Sequence, residues 1–227
     1  MASNGCQPSN GRTRRGWVVQ QILRAIFTAE FRGGDRLVEQ ELGVTLGVSR
    51  TPIREALGEL AAVGLVTIKP NQGAFVRPFG PVQIREIYHI RWLLESEAAR
   101  RAAGYVREAE LRQVQLETQQ HLNLPRSSGW IPTALSLDER FHELIARNCG
   151  SVRLAEEIGR YRTLIQSIRA AVGNRARAQE VAIVEHLKVI DHLLSHDSAS
   201  AGRAMAEHIQ RGTQAAVDAL FSPVDVK

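Results

Sequence analysis

Three histidines and one aspartate in the second half of the chain have the residue types of a divalent-metal site. Asp138 and His142 are four residues apart, a spacing that places both side chains on one face of a helix, one turn apart. His186 and His208 each follow a glutamate in long helical patterns. Three imidazoles and one carboxylate suit zinc first, and also nickel, manganese or iron. Spacing alone leaves two interpretations open, a metal site and ordinary polar positions on helices.

Arg91 is the candidate for binding an organic ligand. It lies beside an apolar stripe of a predicted helix that includes Ile87, Leu94 and Ala98. Two interpretations fit this position. The guanidinium pairs with Glu95, one helical turn later, or it clamps a carboxylate inside a helical bundle, since arginine presents a planar fork of donors.

Near the N terminus, the residues around Ser49 predict a helix over residues 50–63. Ser49 is a suitable N-cap, Pro52 is tolerated in a first helical turn, and Gly64 is a typical residue after a helix end. The apolar residues of this helix share one arc of a helical wheel: Ile53, Leu57 and Leu60. One side of the helix is therefore expected to pack against a core.

The opposite arc carries Arg50, Thr51 and Arg54. A helix N terminus attracts phosphate through its free N–H groups and its dipole, and arginine forks onto guanine O6 and N7 in the major groove. We therefore expect Arg50 and Arg54 to read bases, and Ser49 and Thr51 to contact phosphates or bases. For two arginines taken alone, a solvated helix face is the alternative.

The elements around this helix have the order of a winged helix-turn-helix. A helix over about residues 17–31 and a short helix ending near Gly47 precede it. Two β-prone runs follow it, residues 65–68 and 74–76, and predict a hairpin. We expect Gly73 at the hairpin tip, where a residue without Cβ lets the backbone approach the minor groove.

Composition divides the chain into two predicted domains. Residues 1–12 are rich in Ser, Asn, Gly and Pro and predict a disordered tail. The prolines and the glycine near residue 80 mark the end of the β signal, so we predict a DNA-binding domain over 13–78, a linker over 79–82 and a helical domain over 83–222.

Six helices are predicted after the linker: 82–103, 108–122, 133–148, 152–172, 176–196 and 199–221. Their short connections imply an antiparallel bundle. The predicted fold class is therefore mainly α, an N-terminal winged helix-turn-helix with a small β-hairpin followed by an all-α antiparallel helical bundle.

The charge distribution favours a polyanionic partner for the N-terminal part. The net charge of the 227 residues is +5, and residues 1–80 hold ten Lys and Arg against six Asp and Glu. No apolar run approaches the ~20 residues of a membrane span, and residues 1–16 lack the apolar segment of an export signal. Cys6 and Cys149 are the only cysteines, which favours a protein of the reducing cytoplasm without a disulfide framework.

The N-terminal motifs together resemble the GntR family of bacterial winged-helix repressors. The run VSRTPIREAL over residues 48–57 is followed by Gly64 and by the hairpin glycine Gly73, and the similarity covers about residues 17–78. The resemblance implies a homodimer that binds two half-sites of a near-palindromic double-stranded operator. One position departs from the family, since Gln40 stands where relatives often carry a basic residue, so a phosphate or base contact there is expected to be absent or altered.

Four segments of the second domain resemble the FCD effector domain found in the FadR branch of GntR regulators: 91–99, 138–148, 185–191 and 205–209. In metal-containing members, a D-x-x-x-H motif and two later histidines hold the ion. The resemblance implies Asp138, His142, His186 and His208 as ligands here, and Arg91 as the clamp for a small carboxylate. Six predicted helices, not seven, favour the VanR-like subgroup. A ligand-responsive repressor is the usual behaviour of the family.

Two other functions fit parts of the same pattern. Three histidines and a carboxylate also describe metallohydrolases, but no catalytic string such as H-E-x-x-H is present, and a hydrolase leaves the DNA-binding motif unexplained. We therefore expect no enzymatic activity. The other hypothesis is a DNA-binding regulator whose metal only stabilises the bundle, with no carboxylate effector.

Overall fold

The computed structural model describes residues 11–172 and 176–221. The chain forms two compact units, divided between Gly80 and Pro81. Of the predicted tail, residues 1–10 lie outside the described residues, and Gly11 begins the first helix. Among the described helices, none is long and apolar enough to cross a membrane.

The N-terminal unit is a winged helix-turn-helix, which confirms the predicted fold of this part. Along the chain its elements are α1 (Gly11–Phe27), β1 (Arg36–Leu37), α2 (Glu39–Leu46), α3 (Arg50–Ala62), β2 (Val66–Lys69) and β3 (Gly73–Val76). Helix α1 ends four residues before the predicted position, because the backbone turns left-handed at Ala29, with φ 57°. The core of the unit is formed by side chains from the helices and the sheet, among them Ile22, Leu37, Ile53 and Leu60.

Helix α3 has the two faces that the helical wheel predicts. Ile53, Leu57 and Leu60 are buried, whereas Arg50 and Arg54 are exposed. Ser49 is the N-cap residue by its backbone angles, but its hydroxyl accepts no capping hydrogen bond. Its side chain is exposed and is therefore open to an external partner.

A single glycine sets the turn between α2 and α3. Gly47 has φ 66°, in the left-handed region that glycine occupies without steric cost. Its N–H bonds the carbonyl of Val44 at 3.3 Å, and the N–H of Val48 bonds the carbonyl of Gly43 at 3.0 Å. These bonds close the end of α2 and direct the chain into α3.

The wing is a three-stranded antiparallel sheet in the order β1-β3-β2. Strand β1 is absent from the sequence prediction because two residues are too short to show an alternating pattern. Gly73 pairs with Lys69 across the hairpin, so the expectation that Gly73 forms the tip is wrong. The tip is residues 70–72, and the left-handed residue within it is Asn71, with φ 58°.

The C-terminal unit is an all-α bundle. Its described helices are α4 (Pro81–Ala102), α5 (Glu108–Leu122), α6 (Trp130–Arg147), α7 (Val152–Arg160), α8 (Arg162–Val172), α9 (Ala176–Leu194) and α10 (Ser198–Phe221). Pro81 and Val82, placed in the predicted linker, open α4. Buried aliphatic residues from several helices form the core, with Ile84, Ile145 and Ile190 among the fully buried ones.

The helix predicted over 152–172 is two helices, so the count of six is wrong. The break falls at Tyr161, whose N–H bonds the carbonyl of Ile158 while its own carbonyl accepts the N–H of Ile165 at 2.9 Å. Gly159 lies two residues before the break, and a single glycine inside a helical pattern is a weak breaker signal that the prediction did not use. With seven described helices, the helix count no longer favours the VanR-like subgroup.

Two glycine substitutions in the bundle should have opposite effects on stability. Gly150 has φ 67° and its ideal Cβ would lie 2.5 Å from Cε2 of Tyr105, whereas Gly159 is helical with no described atom within 4 Å of its Cβ position. We expect Gly150→Ala to lower the free energy of unfolding by about 1–2 kcal/mol and Gly159→Ala to raise it by about 0.5–1 kcal/mol. Urea unfolding of both variants measures this, and equal effects would contradict the assigned backbone conformations.

Candidate metal centre and nucleic-acid interface

Three helices bring the four predicted ligands into one buried cluster, hereafter the Asp-His cluster. Asp138 and His142 lie on α6, His186 on α9 and His208 on α10. All four side chains are buried, and one potential ligand atom from each lies within 4.8 Å of the others. The structure therefore places side by side the residues that the sequence separates by up to 70 positions.

The distances in the Asp-His cluster fit a shared ion. Nε2 of His186 lies 3.2 Å from Nε2 of His208 and 3.5 Å from Oδ1 of Asp138, which in turn lies 3.7 Å from Nε2 of His142. Four ligand atoms about 2.0–2.1 Å from a tetrahedral zinc ion are roughly 3.3 Å apart. Nε2 of His142 is buried without a hydrogen-bond partner among the described residues, and a metal ion would satisfy it.

Two glutamates orient two of the histidines by contacting the ring nitrogen that faces away from the Asp-His cluster. Nδ1 of His142 contacts Oε2 of Glu95 at 2.5 Å, and Nδ1 of His208 contacts Oε2 of Glu185 at 2.8 Å. When Nδ1 donates to the carboxylate, Nε2 carries the free lone pair and faces the cluster, as in carboxylate–histidine–metal arrangements. Sequence reasoning did not assign this role to either glutamate, although Glu185 directly precedes a predicted ligand.

Burial favours the uncharged form of two imidazoles of the Asp-His cluster. Desolvation lowers the pKa of His142 to about 4 and lowers the pKa of His186 well below its usual value, with the nearby histidines adding to the effect. Glu95 is the opposite case, because burial alone would raise its pKa, but Arg91 and His142 beside it hold that pKa well below its usual range. Neutral imidazoles and an ionised carboxylate are the forms that bind metal and support its ligands.

Three arginines compensate the carboxylates of the site. Nε of Arg91 donates to Oε1 of Glu95 at 2.7 Å, Arg169 pairs with Asp138 and Arg211 pairs with Glu185. For Arg91, the structure shows the intrahelical pair with Glu95, one of the two interpretations that the sequence left open. Arg169 is a site residue that sequence reasoning missed, since nothing in its neighbourhood indicates which helix it faces.

Two small cavities flank the Asp-His cluster, and Arg91 and Arg169 line both. One, of about 50 Å³, is also lined by His142 and Tyr161. The other, of about 70 Å³, is also lined by His208. Both volumes are well below the roughly 300 Å³ at which pockets for drug-sized ligands begin, so the described conformation has room only for a small ligand.

The exposed face of α3 carries the residues predicted to read DNA. Nη2 of Arg50 donates to Oε1 of Gln40 at 3.2 Å, and Nε of Arg54 pairs with Oε2 of Glu39 at 2.7 Å. Thr51 is exposed beside them. Gln40 is therefore in contact with a predicted base reader, and both arginines are held by side chains of α2.

Sequence reasoning missed two cations of the wing. Nζ of Lys69 lies 4.8 Å above the Phe75 ring, and the guanidinium of Arg36 lies next to Gly73, 3.5 Å from its ideal Cβ position. Among the described residues, neither cation has a carboxylate within ion-pair distance. Arg36 belongs to the short strand β1, which explains why the sequence gave it no place in the wing.

Comparison with known proteins bears on both units. Residues 15–76 match the bacterial regulatory proteins of the gntR family, and residues 86–211 match the FCD domain. The HTH-type transcriptional repressor RspR of Escherichia coli K12 is 29% identical over 91% of this chain and 88% of its own length. The Nta operon transcriptional regulator of Aminobacter aminovorans is 31% identical over 80% of this chain and 84% of its own length.

Solved structures share the fold. Escherichia coli McbR/YncC superposes with a TM-score of 0.61 at 23% identity, covering 87% of this chain and 94% of its own. Lar, which controls the expression of the Listeria monocytogenes agr system, superposes with a TM-score of 0.63 at 18% identity, covering 89% and 95%. The winged helix-turn-helix, the helical bundle and the sequence matches agree, and the chain belongs to the GntR family of bacterial transcriptional regulators, with a DNA-binding helix-turn-helix unit followed by an FCD domain.

Proposed function

We propose that this regulator is a homodimeric repressor whose bundle binds a divalent metal and a small organic acid, and that the acid modulates binding to a near-palindromic operator. The observation that carries the proposal is the buried Asp-His cluster between two cavities lined by the same arginines. Similarity to a repressor, RspR, supports repression as the sign of the response.

Asp138, His142, His186 and His208 would hold the metal, with zinc as the first expectation and nickel, manganese or iron as alternatives. A bound divalent ion supplies a positive centre that attracts a ligand oxygen. Glu95 and Glu185 keep the imidazoles of His142 and His208 in the orientation that ligation needs. A tetrahedral set of four protein ligands also suits a purely structural metal, which is the second candidate function.

Arg91 and Arg169 would bind the carboxylate of the effector. Both guanidiniums line both cavities beside the Asp-His cluster, and arginine binds carboxylates through two parallel hydrogen bonds. Each is paired in the described conformation, with Glu95 and with Asp138. Effector binding therefore exchanges an internal partner of each arginine for an external one and disturbs contacts among α4, α6 and α8. A coupling of ~1–3 kcal/mol between effector binding and operator affinity is enough for a useful switch.

The metal proposal predicts a stability that depends on the ion. The protein purified with zinc should lose thermal stability with a chelator, since a ligand at 100 times its Kd stabilises a fold by about 2.7 kcal/mol. In His186→Ala, the difference in melting temperature between metal-loaded and chelated protein should largely disappear. His192→Ala, on the same helix α9 and outside the Asp-His cluster, is the control. Full metal content of His186→Ala by elemental analysis would contradict the assignment.

The effector proposal predicts that a small organic acid raises the melting temperature only in metal-loaded protein. The conservative variants Arg91→Lys and Arg169→Lys keep the charge but lose the planar fork, and should reduce that rise. Arg140→Lys on α6, an exposed arginine paired with Glu117, should behave as wild type. If chelation destabilises the protein but no acid has an effect, the metal is structural and the effector proposal is wrong.

The DNA proposal predicts that α3 and the wing contribute differently. With the operator selected from random duplex DNA by the wild-type protein, Arg50→Ala should lose roughly 1–3 kcal/mol of discrimination between right and wrong bases. Lys69→Ala should instead weaken binding to all sequences alike and reduce the salt slope by about 1, as expected for a phosphate contact. Fluorescence anisotropy at several salt concentrations distinguishes the two. Unchanged selectivity in Arg50→Ala would overturn the role given to α3.

A further inference from the structure

We infer that the exposed face of α4 is the surface through which two copies of this chain pair, with their α4 helices antiparallel and crossing at Leu93. The inference rests on the homodimer of the proposed function and names the surface that forms it.

Helix α4 presents a stripe of exposed and half-buried side chains to solvent along most of its 22 residues. At 100° per residue, the members of this α4 stripe lie within about 40° of Leu93: Val82, Glu86, His89, Leu93, Glu97 and Arg100. The side chains of Val82 and Leu93 are 60% and 50% exposed, and Ile90 at the edge of the stripe is 36% exposed. Ile90 and Leu93 are neighbours on this face and Val82 lies three turns away, so the apolar part of the stripe is small and centred on Leu93.

The charges of the α4 stripe are complementary to themselves in one register. In an antiparallel pair of identical helices centred on Leu93, Glu86 of each copy lies opposite Arg100 of the other, and His89 lies opposite Glu97. Leu93 meets its own counterpart on the twofold axis. An isologous contact requires this kind of self-complementarity, because the same patch supplies both sides.

The neighbouring side chains agree with this register. Arg100 already pairs with Glu97 through Nε and Nη2, which leaves Nη1 free to reach a glutamate of the second copy. In the same register, Arg85 of one copy would face Arg101 of the other, a pair of like charges. Both residues lie at the margin of the stripe. Each is bonded within its own chain, Arg85 to Gln214 and Arg101 to the carbonyl of Cys149, so neither is directed at the twofold axis.

A hydrophobic-to-charged substitution tests the position of the surface. Leu93→Glu places two like charges on the axis and should weaken dimerisation by about tenfold or more. Leu116→Glu on α5 is the matched control, because Leu116 is also 50% exposed, and it should leave the dimer intact. Sedimentation equilibrium of the full chain measures both constants.

Charge exchange tests the register. Glu86→Arg and Arg100→Glu should each weaken the dimer, because each places like charges opposite one another, and the double variant should restore it by re-forming the pair with reversed sign. The local repulsion between Glu97 and a glutamate at position 100 is present in both the single and the double variant. Recovery in the double variant therefore reports the contact between chains.

Cross-linking gives a third readout. In a Cys6→Ser background, Leu93→Cys should form a disulfide-linked dimer under mild oxidation, because residues on a twofold axis of antiparallel helices approach within disulfide range. Leu116→Cys should not. If Leu93→Glu dimerises like the wild type, the double charge-exchange variant shows no recovery and Leu93→Cys does not cross-link, then this surface is wrong. The proposed homodimer itself is not contradicted by that result. A wild-type chain that is monomeric at all concentrations would overturn the homodimer itself.

Discussion

Ionisable side chains inside the bundle must be neutral or paired, and the C-terminal unit depends on this constraint. Moving a charged group from water into a protein interior costs several kcal/mol unless a partner compensates it. His142 and His186 satisfy the constraint by staying neutral, and Glu95 satisfies it through Arg91 and His142. Each member therefore depends on the others, and removing one leaves a buried charge or a buried nitrogen without a partner.

The same constraint connects the proposed metal with the proposed anion. The carboxylates of Asp138, Glu95 and Glu185 are matched by the guanidiniums of Arg91, Arg169 and Arg211. Because imidazole binds metal in its neutral form, a divalent ion adds positive charge that these residues do not compensate. An anionic ligand supplies the missing negative charge, so on the proposed function the ion and the acid bind with positive cooperativity and neither is an independent event.

How far the sequence predicts this site depends on how local each signal is. The fold class is confirmed, and Asp138 with His142 could be foreseen as neighbours because both lie on one helix four residues apart. His186 and His208 required the family resemblance, since helical spacing does not show which helices of a bundle meet. Arg169 and Glu185 reach the Asp-His cluster through tertiary packing alone. The strand that holds Arg36 is too short to show alternation, and the break at Tyr161 is marked only by Gly159, which a helix also tolerates, so sequence patterns indicate both features weakly.

In the N-terminal unit, the arginines proposed to read bases are held by neighbouring side chains. Arg54 pairs with Glu39, and Arg50 with Gln40. An exposed ion pair contributes ~0–1 kcal/mol, whereas a bidentate contact with the right base contributes about 1–3 kcal/mol of discrimination. Replacing the internal partner of an arginine by a matching base is therefore favourable, whereas replacing it by a wrong base is close to neutral or unfavourable. On the proposed function, Glu39 would repel backbone phosphates at the same place, so the acidic residues of α2 would reduce non-specific binding while Lys69 and Arg36 of the wing would supply sequence-independent affinity.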